Sequence, residues 1–144
     1  MNTNKKLLIT GTSGMLGSNL VYQLSNKYEI YGIDKGPLNP RLKKHFSVDI
    51  TDYGKVKEII INVKPNYVVH CAAITNVDFC EENYLLARNT NALSTNNILA
   101  CLNPDTRFIY ISTDSVFDGK YGNYTEKDLP SPLNNYAKSK LEGE

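Results

Sequence analysis

The 144-residue chain has no tryptophan, two methionines, three cysteines and two histidines. Cys71, Cys80 and Cys101 are odd in number and show no C-x-x-C spacing. That excludes a disulfide framework and a zinc knuckle and suits a reducing compartment. His45 and His70 stand too far apart in sequence to suggest a metal site, so no metal is expected. An excess of one charge is also missing, since sixteen basic residues face fifteen acidic ones. Partnership with nucleic acid or an anionic membrane would need a basic surplus on one face, and neither partner is expected. Long hydrophobic runs are absent too. The stretch before Gly11 is shorter than the core of a signal peptide, and a membrane span needs about 20 apolar residues. The expectation is a cytoplasmic protein. With 41% hydrophobic and 22% charged residues the chain reads as one globular domain.

Several short apolar runs end in small or turn-prone residues. Lys6–Thr10, Glu29–Asp34 and residues 45–49, 66–71 and 107–112 read as five strands. Continuous apolar content without strict alternation is what strands covered on both faces need. Helical patterns separate them. Leu16, Leu20 and Leu24 repeat every four residues, and Val56, Ile59, Ile60 and Val63 follow an i, i+3, i+4, i+7 pattern. A helix of weaker periodicity is expected over residues 81–102, and the first turns of another over 134–144, with no Gly or Asn cap at its end. Asp52 is the expected N-cap of the helix carrying Val56, while Pro65 and Pro104 mark helix stops. Strand alternating with helix means parallel pairing through right-handed crossovers, hence an α/β, doubly wound parallel sheet. Such a sheet usually has a sixth strand. The expectation is therefore that residues 1–144 form an incomplete Rossmann domain, the front part of a longer protein.

The glycines carry the first chemical signal. Gly11-Thr12-Ser13-Gly14-Met15-Leu16-Gly17 follows the first strand directly and opens the first helix. Glycine here allows a tight turn, close approach of backbone to pyrophosphate, and close packing of helix on strand. Exposed N–H groups and the positive helix end then meet the phosphates. Nine glycines in this length would produce the spacing by chance only ~0.04 times per chain. The reading is a dinucleotide site. Asp34 closes the second strand, where an acid accepts hydrogen bonds from ribose hydroxyls and favours NAD over NADP. Lys35, Arg41, Lys43 and Lys44 lie just beyond and could hold a 2′-phosphate instead, so NADP and NAD both stay open. Asp49 and Ile50 follow the third strand, where they can contact adenine or simply open the next helix.

Three Tyr-x-x-x-Lys pairs occur where chance alone supplies about one. Tyr31 and Lys35 straddle a strand end, and Tyr53 and Lys57 lie on a helix near solvent. Tyr136 and Lys140 fall on a helix after the fifth strand, where i and i+4 face the same way. Ser112-Thr113-Asp114 ends that fifth strand, at the carboxyl edge where open α/β sheets bind ligands. A hydroxyl there and the Tyr136 phenol can converge on one carbonyl oxygen. A neighbouring ammonium favours tyrosinate, which makes Tyr136 a workable general acid for reduction. His70, in a buried strand, reads as a packed histidine, and Cys71 as a residue chosen for size.

At these residues the chain resembles the extended short-chain dehydrogenase/reductase family along its whole length. Gly11-x-x-Gly14-x-x-Gly17 has that family's spacing. His70-Cys71-Ala72-Ala73 is similar to its fourth-strand segment, whose small residues let the cofactor lie close, and Asn91-Ala92-Leu93 to its central helix. Ala73-Ile74-Thr75-Asn76-Val77-Asp78, Ser112-Thr113-Asp114-Ser115-Val116-Phe117-Asp118-Gly119 and Tyr136-Ala137-Lys138-Ser139-Lys140 look most like the dTDP-4-dehydrorhamnose reductases. Ser115 stands where those enzymes usually have an aromatic residue, and Ala137 where glycine is common.

The resemblance implies a catalytic trio of Thr113, Tyr136 and Lys140. It implies cofactor contacts from Gly11, Thr12, Ser13, Gly14, Met15, Leu16, Gly17, Asp34, Asp49, Ile50, Cys71, Ala72, Ala73, Thr75, Asn91, Tyr136 and Lys140. Substrate contacts would come from Thr75, Val77 and Thr113. The implied activity is NAD(P)H-dependent reduction of a nucleotide-activated 4-keto-6-deoxy sugar, feeding surface-polysaccharide synthesis. A nucleotide sugar is then the partner, and a homodimer packed through the helices of 81–102 and 134–144 is expected. Related 4,6-dehydratases place Asp-Glu after the threonine, whereas Asp114 is followed by Ser115 here, and the epimerase form is not matched by Phe117-Asp118. The alternatives are a nucleotide-sugar epimerase/dehydratase of the same family and a non-catalytic NAD(P)-binding regulatory subunit, since a regulatory subunit of methionine adenosyltransferase resembles the same reductases. The family's substrate-binding part follows the residues present, so residues 1–144 alone are expected to have little activity.

Overall fold

The computed structural model describes residues 5–144. Five strands, β1 (Lys6–Thr10), β2 (Glu29–Asp34), β3 (Lys44–Ser47), β4 (Tyr67–His70) and β5 (Arg107–Tyr110), form one parallel sheet in the order β3-β2-β1-β4-β5. The expected doubly wound sheet is what forms. β1 and β2 match their expected bounds; β3 starts one residue earlier and ends two earlier, and β4 and β5 are trimmed to four residues.

Leu8 is fully buried at the centre, opposite Tyr31 on β2 and Val68 on β4. Alternate residues then feed two cores. One face carries Leu8, Ile33 and Val68 against α2 (Tyr53–Val63) and Ile98 of α5 (Ser94–Leu99). The other carries Leu7, Ile9, Ile30 and Val69 against α1 (Met15–Leu24). Burying such a side chain contributes about 1.5–3 kcal/mol, which is why runs apolar on both faces settle as interior strands.

Asp52 caps α2 as expected, its Oδ1 accepting from the Lys55 N–H at 3.2 Å. Lys64 then turns the chain left-handed ahead of Pro65.

The single helix expected over 81–102 is instead three helices and a π-helical turn. α3 (Val77–Glu82) is capped by the Asn76 side chain, and α4 (Tyr84–Arg88) follows. A π-helical turn (Asn89–Leu93) leads into α5. Asn83 leaves helical backbone at φ −129°, ψ 50°, and its side chain joins its own N–H on the Phe79 carbonyl. Asparagines compete for backbone partners in this way, so a run rich in them breaks.

The last helix, α6 (Asn135–Glu142), is N-capped by Asn134, and Gly143 ends it where no glycine cap was expected. A side chain at Gly143 would strike the Tyr110 hydroxyl at 2.5 Å and the Asn91 carbonyl oxygen at 2.7 Å, so packing requires the glycine. No helix among the described residues is long and apolar enough to cross a membrane.

Candidate active site

Because Thr10 lies opposite Ile33 on β2 and His70 on β4, the chains leaving β1, β2 and β4 emerge at one carboxyl edge. The sheet's order reverses there, and a crevice opens. Gly11 turns with φ +73°, and a Cβ on it would lie 2.8 Å from the Ala72 nitrogen. Gly17 lets α1 sit on this turn, since a Cβ there would come within 2.1 Å of the Gly11 oxygen. Gly14 is the N-cap of α1, and no side-chain oxygen covers the helix start. The result is a backbone cradle at the positive end of a ten-residue helix, which fits a pyrophosphate.

Two hollows meet over this cradle and share Gly11, Gly14, Cys71 and Ala73. The first, about 270 Å³, is lined also by Ser13, Asp34, Lys35, Asp49, Ile50 and Ala72. Asp34 sits in it with Oδ2 accepting from the Ser13 N–H at 2.8 Å and Oδ1 from the Gly36 N–H at 2.6 Å. Burial works against its charge, yet these hydrogen bonds outweigh burial and hold the carboxyl below its ordinary range. Asp49 is drawn down to about 2 by the Lys35 ammonium at 2.8 Å and by the Thr51 N–H and hydroxyl.

The second hollow, about 300 Å³, is lined by Met15, Leu16, Gly17, Thr75, Ile111, Ser112, Tyr136 and Lys140. α6 brings Tyr136 and Lys140 to it from one helical face, the tyrosine half-buried and the lysine 3% exposed. Lys140 Nζ donates to the Ile111 carbonyl at 2.7 Å and lies 4.0 Å from the centroid of the Tyr110 ring. Burial lowers its affinity for a proton to about pKa 8, with Glu144 and Cys71 pulling the other way. Burial pushes the Cys71 thiol up to about 11 against the pull of Lys140. His70 is the packed histidine expected, 1% exposed, its Nδ1 bonded to Thr10 Oγ1 at 2.6 Å. Burial first, and the Lys140 charge second, depress its pKa to about 3, so it is neutral.

Not every expected site residue lines the two hollows. Thr113 opens into a neighbouring hollow of about 540 Å³ that shares only Ser112 with the Tyr136 hollow. Its hydroxyl accepts from the Ser115 N–H at 3.2 Å, capping a single 3₁₀ turn (Asp114–Val116). Val77 starts α3, 40% exposed, and lines neither hollow. Thr12 and Asn91 lie beneath the surface, 1% and 0% exposed. Thr12 faces Gly32, so it offers the cleft only backbone. Asn91 receives the Ile74 N–H at 2.8 Å and donates to the Ile74 carbonyl and Ser139 Oγ at 2.9 Å. It braces the cleft wall against α6 rather than facing a ligand. Ile74 and Thr90 of the first hollow, and Ile111 of the second, were not foreseen as site residues. Position just past a strand's carboxyl end is the one signal that marks Ile111.

A family model described as the RmlD substrate binding domain matches residues 5–144. The chain belongs to that family. Within the RmlD family the matched stretch is here the glycine-headed parallel sheet. The chain is 36% identical over 143 residues to methionine adenosyltransferase 2 subunit beta of Bos taurus, covering 98% of this chain and 42% of that protein. It superposes with a TM-score of 0.89 on a hypothetical dTDP-4-dehydrorhamnose reductase from Sulfolobus tokodaii, 36% identical, over 96% of this chain and 50% of that one. The dTDP-4-dehydrorhamnose reductase from Bacillus anthracis, solved in complex with NADP, matches at 0.86 and 34% identity, over 99% and 49%. The chain thus spans about half the length of these RmlD-like relatives. The motif-level resemblance to extended short-chain dehydrogenases/reductases and the fold class both hold.

Proposed function

We propose that these residues are the dinucleotide-binding part of an NAD(P)H-dependent reductase acting on the C4 carbonyl of a nucleotide-activated 4-keto-6-deoxy sugar. The observation that carries this reading is the shared hollow. Tyr136 and Lys140 stand on one face of α6 and line the same space as the glycine cradle and Thr75. A reduced nicotinamide held there would supply hydride. Tyr136 then delivers its proton to the carbonyl oxygen, and the Lys140 ammonium stabilises the phenolate left behind. Lys140 remains mostly charged at neutral pH, since its pKa of about 8 lies above it. Thr113, one residue beyond Ser112, would hold the same oxygen from the adjoining hollow, with Val77 and Thr75 toward the sugar. Asp34, Asp49 and Ile50 would hold the adenosine end, and Cys71, Ala72 and Ala73 the floor.

NADH is the cofactor the adenosine end favours. Asp34 presents a carboxylate where a 2′-phosphate would sit. Each nearby cation already has a partner, although Lys35 lines the same hollow as Asp34. Lys35 pairs with Asp49 at 2.8 Å and Lys43 with Glu29 at 3.4 Å, while Arg41 covers Tyr22 and Lys44 covers Phe46. Fluorescence titration of the full-length protein is expected to give a Kd for NADH about tenfold below that for NADPH. Equal affinities would overturn the preference.

The deciding assay is oxidation of NADH or NADPH with dTDP-4-dehydrorhamnose by the full-length protein. Tyr136→Phe is expected to lower kcat by a factor of about 10²–10⁴ while leaving dinucleotide affinity within about threefold. A second reading rests on the relatives. Likeness to methionine adenosyltransferase 2 subunit beta supports a dinucleotide-binding regulatory subunit. Tight NADH binding with no turnover would favour it. We also propose a cytoplasmic homodimer, which sedimentation of the full-length protein tests.

A further inference from the structure

Tyr110 is the last residue of β5, half-buried, and lines neither cleft hollow. Three elements nevertheless converge on it. Its hydroxyl lies 3.1 Å from the Asn91 carbonyl of the π-helical turn and 3.1 Å from the Lys140 carbonyl of α6. The missing side chain of Gly143 makes room for that hydroxyl. Its ring lies 4.0 Å from the Lys140 ammonium, and the His70 ring packs against it at 6.0 Å between centroids.

We propose that Tyr110 is the positioning residue for Lys140: its ring face holds the buried ammonium beside the Ile111 carbonyl, and its hydroxyl pins the α6 backbone that carries it. The proposal rests on the role given to Lys140 above. An ammonium this buried makes one hydrogen bond, to Ile111, and has lost most of its water. The negative face of an aromatic ring is a partner that restores part of the lost stabilisation without competing for its protons. Among the other groups around Lys140, Glu144 also favours the ammonium's charge while its carboxylate accepts from Ser112. His70 on β4 is neutral, Cys71 holds its proton to about pH 11, and Tyr136 shares its helix. Among the described residues, only the Tyr110 ring meets the ammonium face-on. Asn91 and Thr95, from the helical side, are uncharged.

The test separates ring from hydroxyl in the full-length protein. Lysine Cε is labelled with ¹³C, and the Lys140 signal is assigned by its loss in Lys140→Arg and titrated against pH. Tyr110→Phe keeps the ring and is expected to leave the Lys140 midpoint unmoved while lowering the melting temperature. Replacing Tyr110 with phenylalanines bearing one, two and three fluorines drains the ring face at nearly constant volume, so folding is preserved. The Lys140 midpoint is then expected to fall stepwise, by about one pH unit in all, and the alkaline limb of hydride transfer with it. A midpoint indifferent to fluorination, or one that moves fully in Tyr110→Phe, would overturn the proposal. If the unsubstituted protein binds no dinucleotide while the fluorinated series shows the stepwise shift, the reductase reading fails and the role of Tyr110 stands.

Discussion

At Gly17 a methyl group would stand 2.1 Å from the Gly11 carbonyl oxygen and 2.8 Å from its carbon, both backbone atoms that cannot swing aside. Gly17→Ala must therefore push α1 off the β1 turn. Denaturant titration is expected to show a loss of about 2–4 kcal/mol, with NADH affinity falling at least about tenfold. Gly14 is more forgiving, since a Cβ would meet only one atom, the Gly11 oxygen, at 3.3 Å. The glycines and Asp34 could be placed at the cleft by their position at a strand end, and Tyr136 and Lys140 by sharing a helical face after the fifth strand. Thr12 and Asn91 were expected to touch a cofactor, but their side chains are buried beneath the cleft. Nothing in a one-dimensional string says that a polar side chain between glycines turns inward to Gly32, or that an asparagine will find Ile74 and Ser139.

The run from α3 to α5 shows how an element is broken to build a site. A continuous helix would keep every residue in i, i+4 bonds. The π-helical turn instead shifts the helix register around Asn91, whose side chain spans the loop after β4 and α6. Asn91→Leu would leave the Ile74 N–H and carbonyl and the Ser139 hydroxyl short of partners, and a cost of about 2–4 kcal/mol is expected in thermal or denaturant unfolding. Arg88 at the end of α4 grips both Glu142 oxygens of α6, yet the pair is more than a third exposed. Arg88→Met is accordingly expected to leave the unfolding midpoint nearly unchanged. A double-mutant cycle with Glu142→Gln measures the pair by itself. The weak periodicity of residues 81–102 was a true warning, because scattered asparagines were already competing for backbone partners.

For the whole molecule, Lys140 couples stability to pH. Its folded pKa of about 8 lies below the usual 10.5, so between those values the unfolded chain holds more protons than the folded one. Stability contributed by this group therefore rises with pH through that window and is least below pH 8. The melting temperature of the native protein relative to Lys140→Met is expected to climb from pH 8 to pH 10.5. A constant difference would show that the ammonium is not desolvated.

Strand runs, helix stripes and the glycine spacing made the parallel order and the cradle readable from the chain alone, because burial on both faces and close backbone approach restrict residue type locally. The ring under Lys140, the Asn91 brace, the Lys35–Asp49 pair and the placement of Thr113 in a neighbouring hollow came only with the tertiary structure. Each depends on residues far apart in the chain meeting at a set distance, and side-chain composition does not encode distance.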